Sequence, residues 1–99
     1  DTVYLEPESI QLHNYLAKGY RARKQYATSL QEYDIAIRLT MRSTSSERNK
    51  VLADFYCAEA EIYLELSNKP KARETLHRAE GFYPDYKKIG ELLRKCDPR

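Results

Sequence analysis

Residues 60–84 read AEIYLELSNKPKARETLHRAEGFYP, and their spacing decides the fold. Apolar residues ahead of Ser67-Asn68-Lys69-Pro70 fall at threes and fours, as do Ala72, Leu76, Ala79 and Phe82 behind it, so the stretch predicts two helices joined by a tight turn. Pro70 suits the first turn of the second helix, where its missing N–H would have had no partner. Upstream, Thr44 with Glu47 three residues on reads as a capping box. It should open the first of these helices, which buries Leu52, Phe55, Tyr56, Ala60, Tyr63 and Leu66. Downstream, Asp85 is placed to cap a last helix whose Ile89, Leu92, Leu93 and Cys96 form a short stripe, stopped by Asp97-Pro98.

The N-terminal half has the same grammar. Ile10, Leu12, Tyr15, Leu16 and Tyr20 mark one helical stripe, opened by Pro7, and Tyr26, Leu30, Tyr33, Ala36 and Ile37 mark another after a break near Lys24-Gln25. No segment alternates with a period of two, so the expected class is all-α. Connections of about two to six residues make neighbouring helices antiparallel, which gives helix hairpins.

At 99 residues the chain is long enough for a single domain spanning 1–99. Apolar residues at 41%, charged residues at 32% and few Gly or Pro predict a folded helical domain, not a disordered one. A net charge of +2 is too small for nucleic-acid binding by bulk charge. No run approaches the roughly 20 apolar residues of a membrane span. The chain opens on Asp1 with no basic-then-apolar leader, which predicts a domain cut from something longer. Cys57 and Cys96 cannot frame a disulfide scaffold, and no Asn-x-Ser/Thr acceptor occurs, so a cytoplasmic or nuclear setting is expected.

Shifting the sequence by 43 residues puts Ala17 on Ala60, Tyr20 on Tyr63, Tyr33 on Leu76 and Ala36 on Ala79. It also lays the turn Arg23-Lys24-Gln25 on Leu66-Ser67-Asn68. The second copy, Ala60-x2-Tyr63-x8-Ala72-x3-Leu76-x2-Ala79-x4-Pro84, resembles the tetratricopeptide repeat (TPR), with Leu76 in place of an aromatic. The first, Leu16-Ala17-x2-Tyr20-x8-Ser29-x3-Tyr33-x2-Ala36, keeps the spacing with Ser29 for Ala and Met41 where the closing Pro would stand. His13 and Tyr56 occupy the family's leading Trp position, and Glu59 its Leu position in the second copy. Small residues permit close helix approach, and the tyrosines fill the gaps that remain.

The resemblance implies two TPR-like repeats, about 8–42 and 45–83, and a capping helix at about 86–96, as a fragment of a right-handed α-α superhelix. The surplus over the family's period of about 34 falls between Leu39 and Lys50, as in relatives with longer helices. Lys87, Lys88, Glu91, Arg94 and Lys95 fit the polar outside of a cap. Two repeats are fewer than the three or so such a stack needs, which predicts support from the cap, from further sequence or from a second copy as a homodimer.

Function enters as a further implication of the resemblance: a non-catalytic adaptor or scaffold whose partner is a protein or peptide. The first helix of each pair lines a concave groove in that family, and the matching positions are Gln11, Asn14, Lys18 and Arg21, then Asp54, Cys57, Glu61 and Glu65. A basic strip beside an acidic strip would orient a partner carrying both signs. Equally, Lys18 and Arg21 would simply neutralise Glu61 and Glu65. The carboxylate clamp of chaperone-binding relatives is not expected, because Asn14 and Lys18 stand in swapped order and Glu61 takes the place of an Asn.

Other chemistries fare worse. Arg21, Arg23 and Lys24 beside Tyr20 and Tyr26 would be an RNA patch, but both tyrosines sit at repeat core positions, and Tyr15, Tyr33, Tyr56 and Tyr63 likewise fall on apolar stripes as expected core. His13, His77, Cys57 and Cys96 lack metal-ligand spacing. No phosphate-cradling glycine loop or catalytic constellation occurs, so no cofactor, metal or active site is expected. Tyr83 and Tyr86 flank Pro84-Asp85 as an exposed docking patch, and a phosphate on Ser43–Ser46 would meet the N-terminus of the third helix. The alternative reading is an accessory domain that regulates or targets an enzyme on the same parent chain.

Overall fold

The computed structural model describes residues 7–96 and folds them into five helices: α1 (Pro7–Ala22), α2 (Tyr26–Met41), α3 (Arg48–Glu65), α4 (Lys69–Phe82) and α5 (Lys87–Cys96). No strand occurs among the described residues. Asp97-Pro98, read as the stop of the last helix, lies outside them. The chain divides into two compact units, one ending at Arg48 and the other beginning at Asn49. An antiparallel pair, α1 with α2, forms the first, and the pair α3 with α4 followed by α5 forms the second.

In the first unit Ala17 is fully buried, and the absence of a larger side chain brings α2 close. The Ser29 hydroxyl donates to the Ala17 carbonyl at 2.6 Å, which gives this buried serine a reason to stand where the second hairpin has Ala72. Farther from the turn, His13 Nδ1 lies 2.6 Å from Glu32 Oε1. Residue 29 meets 17 and residue 32 meets 13, so the two helices run in opposite directions. Tyr33, Ala36 and Ile37 of α2 are buried, and Thr40 hides its hydroxyl by donating to the Ala36 carbonyl at 2.7 Å.

Both hairpin turns are closed in the same way. After α1, Lys24 takes φ 64°, its N–H reaches Arg21 O at 2.8 Å, and the Gln25 N–H returns to Tyr20 O at 2.9 Å. After α3, Ser67 takes φ 61°, its N–H reaches Leu64 O at 3.0 Å, and the Asn68 N–H returns to Tyr63 O at 2.8 Å. This is a Schellman closure with one left-handed residue. Every donor and acceptor of the second turn stands 43 residues after its counterpart, the same shift that aligns the sequences. The next helix starts differently in the two hairpins: Asn68 Oδ1 caps α4 by accepting from the Lys71 N–H at 3.3 Å, whereas Gln25 makes no side-chain cap for α2.

In the second unit the Tyr56 and Phe82 rings stack at 5.9 Å, 9° from parallel, tying α3 to the end of α4. Ala60, Ala72, Leu76 and Ala79 are fully buried. Ile89, Leu92 and Cys96 bury one side of α5, and the Arg73 guanidinium on α4 donates to the Cys96 carbonyl at 3.5 Å.

Three expectations are corrected. The third helix begins at Arg48, because Ser43 Oγ accepts from the Ser45 N–H and Ser45 Oγ from the Glu47 N–H, each at 3.1 Å. Two serine turns therefore replace the Thr44–Glu47 box and hold the segment out of the helix. Leu66, expected in the core, is exposed because α3 ends at Glu65 and Leu66 belongs to the turn. Tyr15 and Leu12 are exposed as well, Tyr15 at 75% and Leu12 at 54%. Tyr15 is two residues from Ala17, about 200° around a helix of 3.6 residues per turn, and so points away from α2.

Candidate functional site

The groove positions inferred from sequence fall on two helices of different units. On α1, Gln11 and Lys18 are exposed while Asn14 and Arg21 are half-buried; on α3, Asp54 and Glu61 are half-buried, Glu65 is exposed and Cys57 is fully buried. The spacing 54, 57, 61, 65 aligns the last four along one face of α3.

The C-terminal segment engages that α3 face. The Tyr86 hydroxyl donates to Asp54 Oδ1, and Lys88 Nζ stands 3.6 Å from Glu61 Oε2. The bond to Asp54, followed by burial, pushes the Tyr86 phenol from its ordinary 10 up to about 12. Cys57 lies between the two carboxylates in sequence. Burial pushes its thiol from 9 to about 12, with the Lys88 ammonium opposing and the Asp54 and Glu61 carboxylates adding to the rise. A thiol held protonated at neutral pH is a poor nucleophile and a poor metal ligand. Its chemistry is that of a small core side chain.

Helical spacing gives no hint that Tyr86 and Lys88 meet α3. The signal was present in charge, since residues 51–68 carry four acids and no base while residues 69–99 carry nine bases. The expected Tyr83/Tyr86 docking patch is thereby corrected in part: Tyr83 is exposed and meets Tyr86 edge-on at 5.7 Å, but the Tyr86 hydroxyl is held by Asp54.

A second surface lies on the outward face of α1. Tyr15, Leu16, Lys18, Gly19, Tyr20 and Arg23 line an open groove of about 450 Å³, and Leu12 stands one turn before Tyr15. Gly19 forms part of its floor, and a Cβ built there would meet nothing within 4 Å. Of the basic patch read from sequence, Arg23 and Lys24 are exposed and Arg21 is half-buried, as are Tyr20 and Tyr26.

The histidines are placed apart, His13 against Glu32 and His77 at 2.9 Å from Glu80 on the surface of α4. Among the described residues no three His, Cys, Asp or Glu side chains gather as metal ligands would. Nor is any described helix long and apolar enough to cross a membrane. No family model matches the chain, and no curated protein and no solved structure matches it.

Proposed function

We propose that the chain is a non-catalytic protein–protein interaction module built from two TPR-like hairpins and a closing helix. The observation that supports this reading is the likeness of the two hairpins. Each has a fully buried alanine on its first helix, Ala17 or Ala60, and a second on its partner helix, Ala36 or Ala79. Each also ends its first helix with the same pair of turn bonds around Lys24 or Ser67. Repeated helix pairs are a common scaffold for surfaces that bind other proteins. Each hairpin offers a partner the solvent-facing side chains of its own first helix, Gln11 and Lys18 being the most accessible on α1 and Glu65 on α3.

The test is affinity capture from a cell lysate, comparing the wild type with a Lys18→Glu/Arg21→Glu/Glu61→Lys variant shown by circular dichroism to remain helical. Proteins held by the wild type and lost by the variant support the reading. Identical captures move the partner surface away from these side chains, to the convex face or the closing helix, and no capture at all counts against the reading and favours an accessory domain that acts only within a longer chain.

A further inference from the structure

The outward face of α1 presents an apolar floor with a one-signed rim. Leu12, Tyr15, Leu16 and Gly19 fall within one arc of α1, opposite Ala17 and the packed side, and Arg23 follows in the turn at its end. Tyr15 and Leu12 leave more than half of their surface in water, an exposure that for such a pair marks a contact surface more often than a lone apolar residue would. Gly19, one turn beyond Tyr15, lets a partner come down to the backbone.

Charge says what kind of partner fits. From Ser9 to Gln31 the chain carries Lys18, Arg21, Arg23 and Lys24 and not one carboxylate. Lys18 and Arg23 border the groove, and among the described residues neither takes part in an ion pair. From Leu12 to Arg23 the face runs about 16 Å at 1.5 Å per residue, the length of about three turns of a partner helix.

We propose that this face receives an acidic amphipathic helix from a protein partner, its apolar side chains spaced at threes and fours to seat around Tyr15 and Gly19 and its carboxylates meeting Lys18 and Arg23. The proposal rests on the reading of the chain as an interaction module and names that module's ligand. An aliphatic floor at Leu12 and Leu16 favours a helix over RNA, whose bases need stacking faces and whose backbone needs a denser row of cations. The cations set orientation and encounter rate, while the apolar anchors supply most of the hold.

The probe is a fluorescein-labelled peptide of about 15 residues with Leu or Phe at helical threes and fours and Glu elsewhere, long enough for three turns. It is compared by fluorescence anisotropy with the same peptide carrying Lys for every Glu, and with a labelled single-stranded oligonucleotide. The expected result is that the acidic peptide binds at least about tenfold tighter than the basic one. Leu12→Ala/Tyr15→Ala and Lys18→Glu/Arg23→Glu should each weaken it about tenfold or more. Gly19→Gln, whose Cβ meets nothing within 4 Å and whose longer side chain would occupy the groove, should do the same without lowering the thermal midpoint. Equal affinity for both peptides, no binding of either, indifference to these variants, or tighter binding of the oligonucleotide would each overturn the proposal. If the acidic peptide fails while lysate capture still depends on the Lys18/Arg21/Glu61 set, the interaction reading stands and this ligand falls.

Discussion

Lys24 and Ser67, 43 positions apart, hold the same left-handed backbone conformation at φ 64° and 61°, and each ends the first helix of a hairpin with the same two hydrogen bonds. Neither is the glycine that this conformation favours. A side chain with a Cβ costs about 1–2 kcal/mol in that region, an amount the surrounding turn offsets.

Glycine at either place should therefore stabilise the protein. Lys24→Gly and Ser67→Gly are each expected to gain about 0.5–1 kcal/mol, with part of the relief lost to the freer unfolded chain. Urea midpoints report it directly. Lys24→Val should move the midpoint the other way, because a β-branched side chain fits the left-handed region worst.

A shifted phenol makes Tyr86 visible. Its folded value of about 12 lies above the ordinary 10, so the stability from its bond to Asp54 is whole below pH 10 and is lost as pH rises through 12. Tyrosinate absorbance should show a late-titrating group that disappears in Tyr86→Phe. That variant should also cost about 1 kcal/mol at neutral pH and flatten the fall in stability between pH 10 and 12.

Cys57 should behave as a thiol sealed in the fold. With its value raised from 9 to about 12 by burial, it stays protonated and out of reach at pH 8. An aromatic disulfide reagent should label it only as fast as the second unit opens, with rates rising alongside denaturant. Rapid labelling in the native protein would show that α5 leaves the α3 face far more readily than the Asp54 and Glu61 contacts imply.

Close approach at the alanines sets a size limit. Ala60→Leu and Ala79→Leu are each expected to cost about 1–3 kcal/mol through overpacking, read as a lowered thermal midpoint. Ser29→Ala should cost about 1 kcal/mol for a different reason, the loss of its bond to the Ala17 carbonyl.

Much of this architecture was legible in the residues. Small residues and turn breakers depend on local geometry alone, so Ala17, Ala60, Ala72 and Ala79, the Pro70 start and the doubled turn could be read in order along the chain. Tyr15 could not, because a stripe of apolar residues on α1 wraps more than half the helix and only the burial of Ala17 shows which edge faces α2. Thr44 failed for a related reason: three neighbouring serines offer the same hydroxyl, and the backbone used Ser43 and Ser45. At the α3 face, the clasp by Tyr86 and Lys88 is a contact over 27 to 32 positions, beyond the reach of any helical period. Leu12→Ser and Tyr15→Ser test the corrected placement, since exposed residues should change stability by no more than about 0.5 kcal/mol.

Short reach along the chain also governs how the protein comes to be folded. Ser29 bonds to a carbonyl only twelve positions behind it, and His13 meets Glu32 across nineteen. Loops of that size close in well under a millisecond, while a ribosome adds about 5–20 residues each second. Both contacts can therefore form once Glu32 has left the exit tunnel, while the second hairpin is still being made.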